Sequence, residues 1–272
     1  MGLNSKQAKE RENALKNLKI TTYEDKKGYV FISYKSKNWE KVFMEKVIPL
    51  NRAGVRIYSD KNFDEVNDSW LETMETNIVN STAVMLFISE EYVRSMATLI
   101  ELLTAISEQK TIIPVYLKSK KELFNKSKND SSFKEEAVVA TPAEYSKLNA
   151  LISLDDNKVY SKTLSNIKNR CKSRLDINQL KIKDIIMCFE KLLNNGNLQD
   201  SLFENNISAL INRIQKAYSH GMPSATAQEW NPFEGSLDEV IKRADKLQEN
   251  IITNKADDWI VPNEIIEFDD PF

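Results

Sequence analysis

Residues 83–88 read Ala-Val-Met-Leu-Phe-Ile, an unbroken apolar run of strand length. A strand with one wet face alternates polar and apolar side chains, so a continuous run requires cover on both faces, the condition of an interior strand in a parallel sheet. Its neighbours have the matching periods. Residues 29–33 form a compact apolar strand bounded by Gly28, residues 55–59 a second, and residues 111–117 a fourth. Between them run amphipathic helices: Trp39, Val42, Phe43, Val47 and Leu50; then Trp70, Leu71, Met74, Ile78 and Val79, with Asp68 or Ser69 placed to cap; then Leu99, Leu102, Leu103 and Ile106. Alternating strands and helices imply an α/β fold, an open parallel sheet with helices on both faces.

Prolines and glycines punctuate this pattern. Pro49 is expected to kink or end the first of these helices, and Gly54 to stop it. Pro114 within the fourth strand demands a bulge or a locally unpaired position. Residues 118–147 are rich in Lys, Ser and Asn and read as a long loop or an irregular helix, residues 150–154 as a fifth, edge strand, and residues 160–175 as a closing helix. From residue 176 the pattern becomes helical: Leu180, Ile182, Ile185, Ile186, Phe189, Leu192 and Leu193; Ile207, Leu210, Ile211, Ile214 and Tyr218; and a last helix near residues 237–252. At 272 residues the chain suits one full domain plus a smaller unit. The expected organisation is a helical extension at 1–27, the α/β domain at 28–175, and a helical region with an acidic tail at 176–272.

Composition removes several chemistries. The 38 basic and 40 acidic side chains nearly cancel, which argues against nucleic acid or an anionic membrane as partner. His220 is the single histidine, so Ser-His-Asp triads and multi-histidine zinc sites lose their chemistry. Six glycines occur and none forms G-x-G, which removes the dinucleotide fingerprint, and no P-loop is present. Two cysteines, Cys171 and Cys188, lack metal-site spacing and fit a reducing, cytoplasmic setting, and no run of about 18 apolar residues is available to span a bilayer. Catalysis, if present, rests on carboxylates, hydroxyls and lysines, with no metal.

An ordered series of short motifs narrows the field. Phe31-Ile32-Ser33-Tyr34 ends the first strand, the second strand ends in Asp60, Asn67-Asp68-Ser69-Trp70 closes a variable loop, and Ser95 to Leu102 reads Ser-Met-Ala-Thr-Leu-Ile-Glu-Leu. Together these resemble a Toll/interleukin-1 receptor (TIR) domain of the bacterial NAD-hydrolase or cyclase type, over residues 28–175. The resemblance implies a flavodoxin-like five-stranded parallel sheet of order 2-1-3-4-5, followed here by a C-terminal helical region. It implies that Glu101 is the catalytic residue of an NAD glycohydrolase, with NAD as substrate and no other cofactor. Ser33, Tyr34, Lys35, Phe63, Trp70, Ser95 and Ala97 are the candidate substrate contacts. The sequence departs from the family pattern at Asn67, which replaces a glycine, and at Ala97 and Thr98, which replace Trp and Cys.

The chemistry suits the residues. Breaking the nicotinamide-ribose bond turns a cationic pyridinium into neutral nicotinamide and leaves positive charge on the ribose, which one fixed carboxylate can stabilise without a histidine. In such a sheet, ligands bind beyond the carboxyl ends of strands one and three, where the order reverses. Glu101 lies in the early turns of the helix after strand three, and its spacing puts it with Thr98 and Ala105, away from the apolar stripe. The alternative is a glutamate on a wet helix face, and for Trp70 core packing with Met74. As a function, the alternative is a non-catalytic adaptor acting by self-association through the loop at 61–67; a nucleoside ribosyltransferase is the chemical neighbour. The resemblance further implies self-association through TIR surfaces. The C-terminal helices are expected to dimerise or dock a protein partner, or else to cap the sheet.

Overall fold

The computed structural model describes residues 28–59, 70–129, 138, 141–153, 181–194, 206–220 and 231–253. The expected helix before residue 28, the loop around Phe63, the closing helix at 160–175 and the acidic tail lie outside the described residues.

Among the described residues four parallel strands form the sheet: β1 (Val30–Tyr34), β2 (Ile57–Ser59), β3 (Ala83–Ile88) and β4 (Thr111–Tyr116), in the order β2-β1-β3-β4. The register pairs Val30 with Ile57 and with Ala83, and Ala83 with Thr111. This is the expected order through strand four, and β3 is buried at every position, as its unbroken apolar run requires. The fifth strand expected at 150–154 is a correction. Those residues as far as Ser153 belong to a helix, Pro142–Ser153. The decisive signal is at its start, where the Thr141 N–H donates to Glu144 Oε2 at 2.7 Å and the Glu144 N–H to Thr141 Oγ1 at 3.2 Å, with Pro142 at the first helical position. Tyr145, Leu148 and Leu151 then bury one face at helical spacing.

The helices, in chain order, begin with α1, a composite of an α-turn Trp39–Val42, a π-helical turn Phe43–Val47 and an α-helical stretch Ile48–Ala53. Pro49 does not end it. The preceding π turn, closed by the Ile48 N–H on the Phe43 carbonyl, widens the coil just where the proline ring would crowd the carbonyl four residues earlier. Gly54 does stop it, at φ +103°. Then come α2 (Trp70–Val79), a 3₁₀ turn (Tyr92–Arg94), α3 (Met96–Ser107), α4 (Lys120–Asn129), α5 (Pro142–Ser153), α6 (Ile182–Leu193), α7 (Ile207–His220) and α8 (Leu237–Thr253). Residues 118–147, expected as loop or irregular helix, therefore contain the regular helix α4, opened by Ser119 and Glu122 in a reciprocal cap.

Side-chain alternation along the strands divides the core in two. Phe31, Val84, Leu86 and Ile88 face α2, α3, α5 and α6, while Val30, Ile32, Tyr34, Met85 and Phe87 face α1, α7 and α8. Most of the described apolar residues of α6 and α7, and Val240 and Ala244 of α8, are buried within the chain, while Met187 of α6 is exposed. Pro114 needs no bulge: its carbonyl accepts from Arg213 of α7 at 3.3 Å, on the side of β4 away from β3. In a parallel strand the nitrogen of that residue points the same way, so no ladder bond is lost.

Candidate active site

The site is built where the strand order reverses. Ser33, the last but one residue of β1, is buried on the α3 side of the sheet by the same alternation that buries Phe31 there. β3 ends at Ile88 and is followed by Ser89, the 3₁₀ turn and Ser95, whose extended backbone (φ −95°, ψ 130°) lets its carbonyl accept the Leu99 N–H at 3.2 Å and start α3. Thr98 tightens this entry, its hydroxyl bonding the carbonyls of Tyr92 at 2.6 Å and Ser95 at 3.1 Å. Glu101 follows in the second turn, half-buried.

Three oxygens line up across 68 residues of chain. Ser33 Oγ donates to Glu101 Oε2, and Tyr92 Oη lies 2.6 Å from the same Ser33 Oγ. A carboxylate only accepts, so the single Ser33 proton goes to Glu101 and the phenol donates to Ser33. Tyr92 is fully buried, with its ring tilted at 60° on Phe189 of α6, centroids 5.6 Å apart. Burial, reinforced by the Glu101 charge and only partly offset by the Ser33 bond, pushes the Tyr92 phenol well above the ordinary tyrosine range. It remains a neutral donor at physiological pH.

Beside this chain Lys35 Nζ donates to Ser95 Oγ at 3.2 Å, which brings a cation to the mouth of the same strand end. Ser89 Oγ donates to Asn38 Oδ1 at 2.6 Å and accepts from the Tyr92 N–H at 3.1 Å, tying the β1 and β3 loops together. Further out lie a Lys37–Glu91 ion pair at 3.7 Å and Glu90 between Arg94 and Lys118.

Of the residues singled out from the sequence, the fold gathers Ser33, Lys35, Ser95 and Glu101 at one strand end, with Ala97 one helical turn before Glu101. Both Ala97 and Glu101 are half-buried while Thr98 and Ala105 are buried, which corrects the expected grouping of Glu101 with those two. Helix α3 is packed almost all round, and its partly open strip runs through Ala97 and Glu101. Tyr34 points to the opposite face of the sheet, edge-on to Phe43 at 5.4 Å. Trp70 packs, half-buried, on the cluster that holds Met74. Phe63 lies outside the described residues. Tyr92, Ser89 and Asn38 fall in the strand-end stretches 33–38 and 89–95 that the sequence points to, but were not singled out as site residues. Their signal was position: each lies just past a strand end at the reversal point.

Among the described residues no group of three or more His, Cys, Asp or Glu side chains is placed to hold a metal ion, and no helix is long and apolar enough to cross a membrane. No curated protein and no solved structure matches the chain. A family model described as TIR domain matches residues 30–146, the stretch that begins with β1 and includes Ser33, Tyr92 and Glu101. Sheet order, reversal point and sequence match coincide there, and residues 30–146 are similar to a TIR domain.

Proposed function

We propose that this protein cleaves NAD at the nicotinamide-ribose bond, with Glu101 as the catalytic carboxylate. The observation that carries the reading is the Ser33 hydroxyl bound to Glu101 at the carboxyl end of β1. It holds a half-buried anionic group at the reversal point of the sheet, where a dinucleotide would lie. As the bond lengthens, its electron pair leaves with the ring nitrogen and nicotinamide departs neutral, needing no proton. The ribose is left as an oxocarbenium-like cation. Glu101, fixed before the reaction begins, faces that charge and holds the ribose hydroxyls, so stabilisation needs no reorganisation at the moment of reaction. Water then adds to the anomeric carbon and loses a proton to give ADP-ribose, or an atom of the adenine or ribose adds instead and gives a cyclic product. Lys35, held at Ser95, supplies the positive charge suited to the diphosphate. In this reading the substrate contacts are Ser33, Lys35, Ser95 and the open step at Ala97, and the domains act as an oligomer in bacterial antiviral or cell-suicide signalling.

The test is nicotinamide release from NAD by the purified full chain beside Glu101→Gln. Loss of a preorganised charge at the reacting centre is expected to cost about 10²–10³-fold in kcat. Release at equal rates in the two proteins refutes the site. No release by the wild-type chain at any protein concentration favours an adaptor acting through self-association.

A further inference from the structure

We infer that Tyr92 is a positioning residue that sets the Glu101 carboxylate through Ser33, and that α6, outside the family-matched segment, belongs to this device because it holds the tyrosine ring. The inference rests on the reading of Glu101 as the catalytic carboxylate. Ser33 has one proton and two possible partners, Glu101 and Tyr92. With its proton given to the carboxylate, its lone pair takes the Tyr92 proton, and each bond polarises the next. A serine on its own turns about χ1 among three wells; a buried phenol donating to it selects the one that reaches Glu101. The phenol is held in turn. The Tyr92 N–H is bound by Ser89 Oγ at 3.1 Å, its carbonyl takes the Thr98 hydroxyl at 2.6 Å, and its ring leans on Phe189. Phe189 and its neighbours Ile185, Ile186 and Cys188 are buried, so the support is rigid core.

The decisive variant is Tyr92→Phe in the full chain, which removes one oxygen and keeps the ring on Phe189. NAD cleavage is expected to lose roughly tenfold in kcat, with KM changed by less than about twofold, the size of one hydrogen bond acting on the reacting geometry. In a Ser33→Ala background the same change is expected to add no further loss, because the phenol acts only through that serine. A full tenfold loss in the Ser33→Ala background, or no loss in either, overturns the inference. Denaturation midpoints supply a readout that needs no activity: Tyr92→Phe should lower the urea midpoint more in the wild-type background than in Glu101→Gln, where the charged end of the chain is gone. A wild-type chain that shows this coupling and yet cleaves no NAD overturns the proposed function and leaves Tyr92 as the residue that orients Glu101. Equal midpoint losses in the two backgrounds overturn the Tyr92 device whatever the activity.

Discussion

A serine hydroxyl facing a glutamate is common on protein surfaces and decides little there. What changes its meaning at Ser33 is burial, since a hydroxyl removed from water must find partners, and here they are Glu101 and Tyr92. Tyr92 also carries a pH signature. Its folded-state phenol titrates above the ordinary tyrosine value of about 10, so above that pH the folded chain holds a proton the unfolded chain has lost. The stability linked to Tyr92 is therefore complete below about pH 10 and is lost as pH climbs from there towards the raised folded value. Urea midpoints measured from pH 9 to pH 11 are expected to fall less steeply for Tyr92→Phe than for wild type; equal slopes contradict the burial argument. Glu101 and Ser33 were legible in the sequence because motif order places them. Tyr92 was not, because its role exists only once residues 59 positions apart meet.

Whole elements obey the same rule, that a local cue is read correctly when it is short-range and missed when the partner is remote. Gly54 was readable as a stop, and so was the need for Pro114 to avoid a ladder bond. The reciprocal cap of Thr141 and Glu144 is the exception, a local cue outweighed by the short apolar run at 150–154 that also suits a strand. The π turn ahead of Pro49 could not be read, because it depends on Phe43 and Val47 both being buried against the sheet. At Gly54 the remote partner is α8: Arg243 Nε bonds the Ala53 carbonyl at 2.9 Å and Nη2 bonds that of Glu234 at 2.6 Å, so the side chain closes the end of α1. A Cβ on residue 54 would lie 2.6 Å from Arg243 Nη2 and 3.1 Å from the Glu234 carbonyl oxygen. Gly54→Ala therefore meets a left-handed backbone and displaces the guanidinium that caps the helix. The expected loss is about 2 kcal/mol in chemical denaturation, from the strained φ and the broken cap together.

At the scale of the molecule, the C-terminal helices decide whether residues 30–146 are a domain by themselves. The face of the sheet carrying Val30, Ile32, Met85, Phe87, Ile113 and Val115 is covered jointly by α1, α7 and α8. The turn before α8 also guards the sheet margin, with the Arg56 N–H donating to the Pro232 carbonyl at 2.8 Å, the Glu234 N–H to the Gly54 carbonyl at 2.7 Å, and Val55 bridged antiparallel to Phe233. An uncovered strand margin and apolar face are both routes to aggregation. A chain ending at residue 205 lacks α7, α8 and that turn. It should lose its cooperative unfolding transition and near-ultraviolet circular dichroism, bind the dye ANS, and associate non-specifically. A helical region serving only to dock a partner would give the opposite result, a shortened chain that stays soluble with a native spectrum. The distinction bears on function, because activity lost on shortening would then report a broken sheet face and not a missing assembly contact; the full-length Tyr92→Phe and Glu101→Gln variants, which leave α7 and α8 in place, are the ones that separate chemistry from folding.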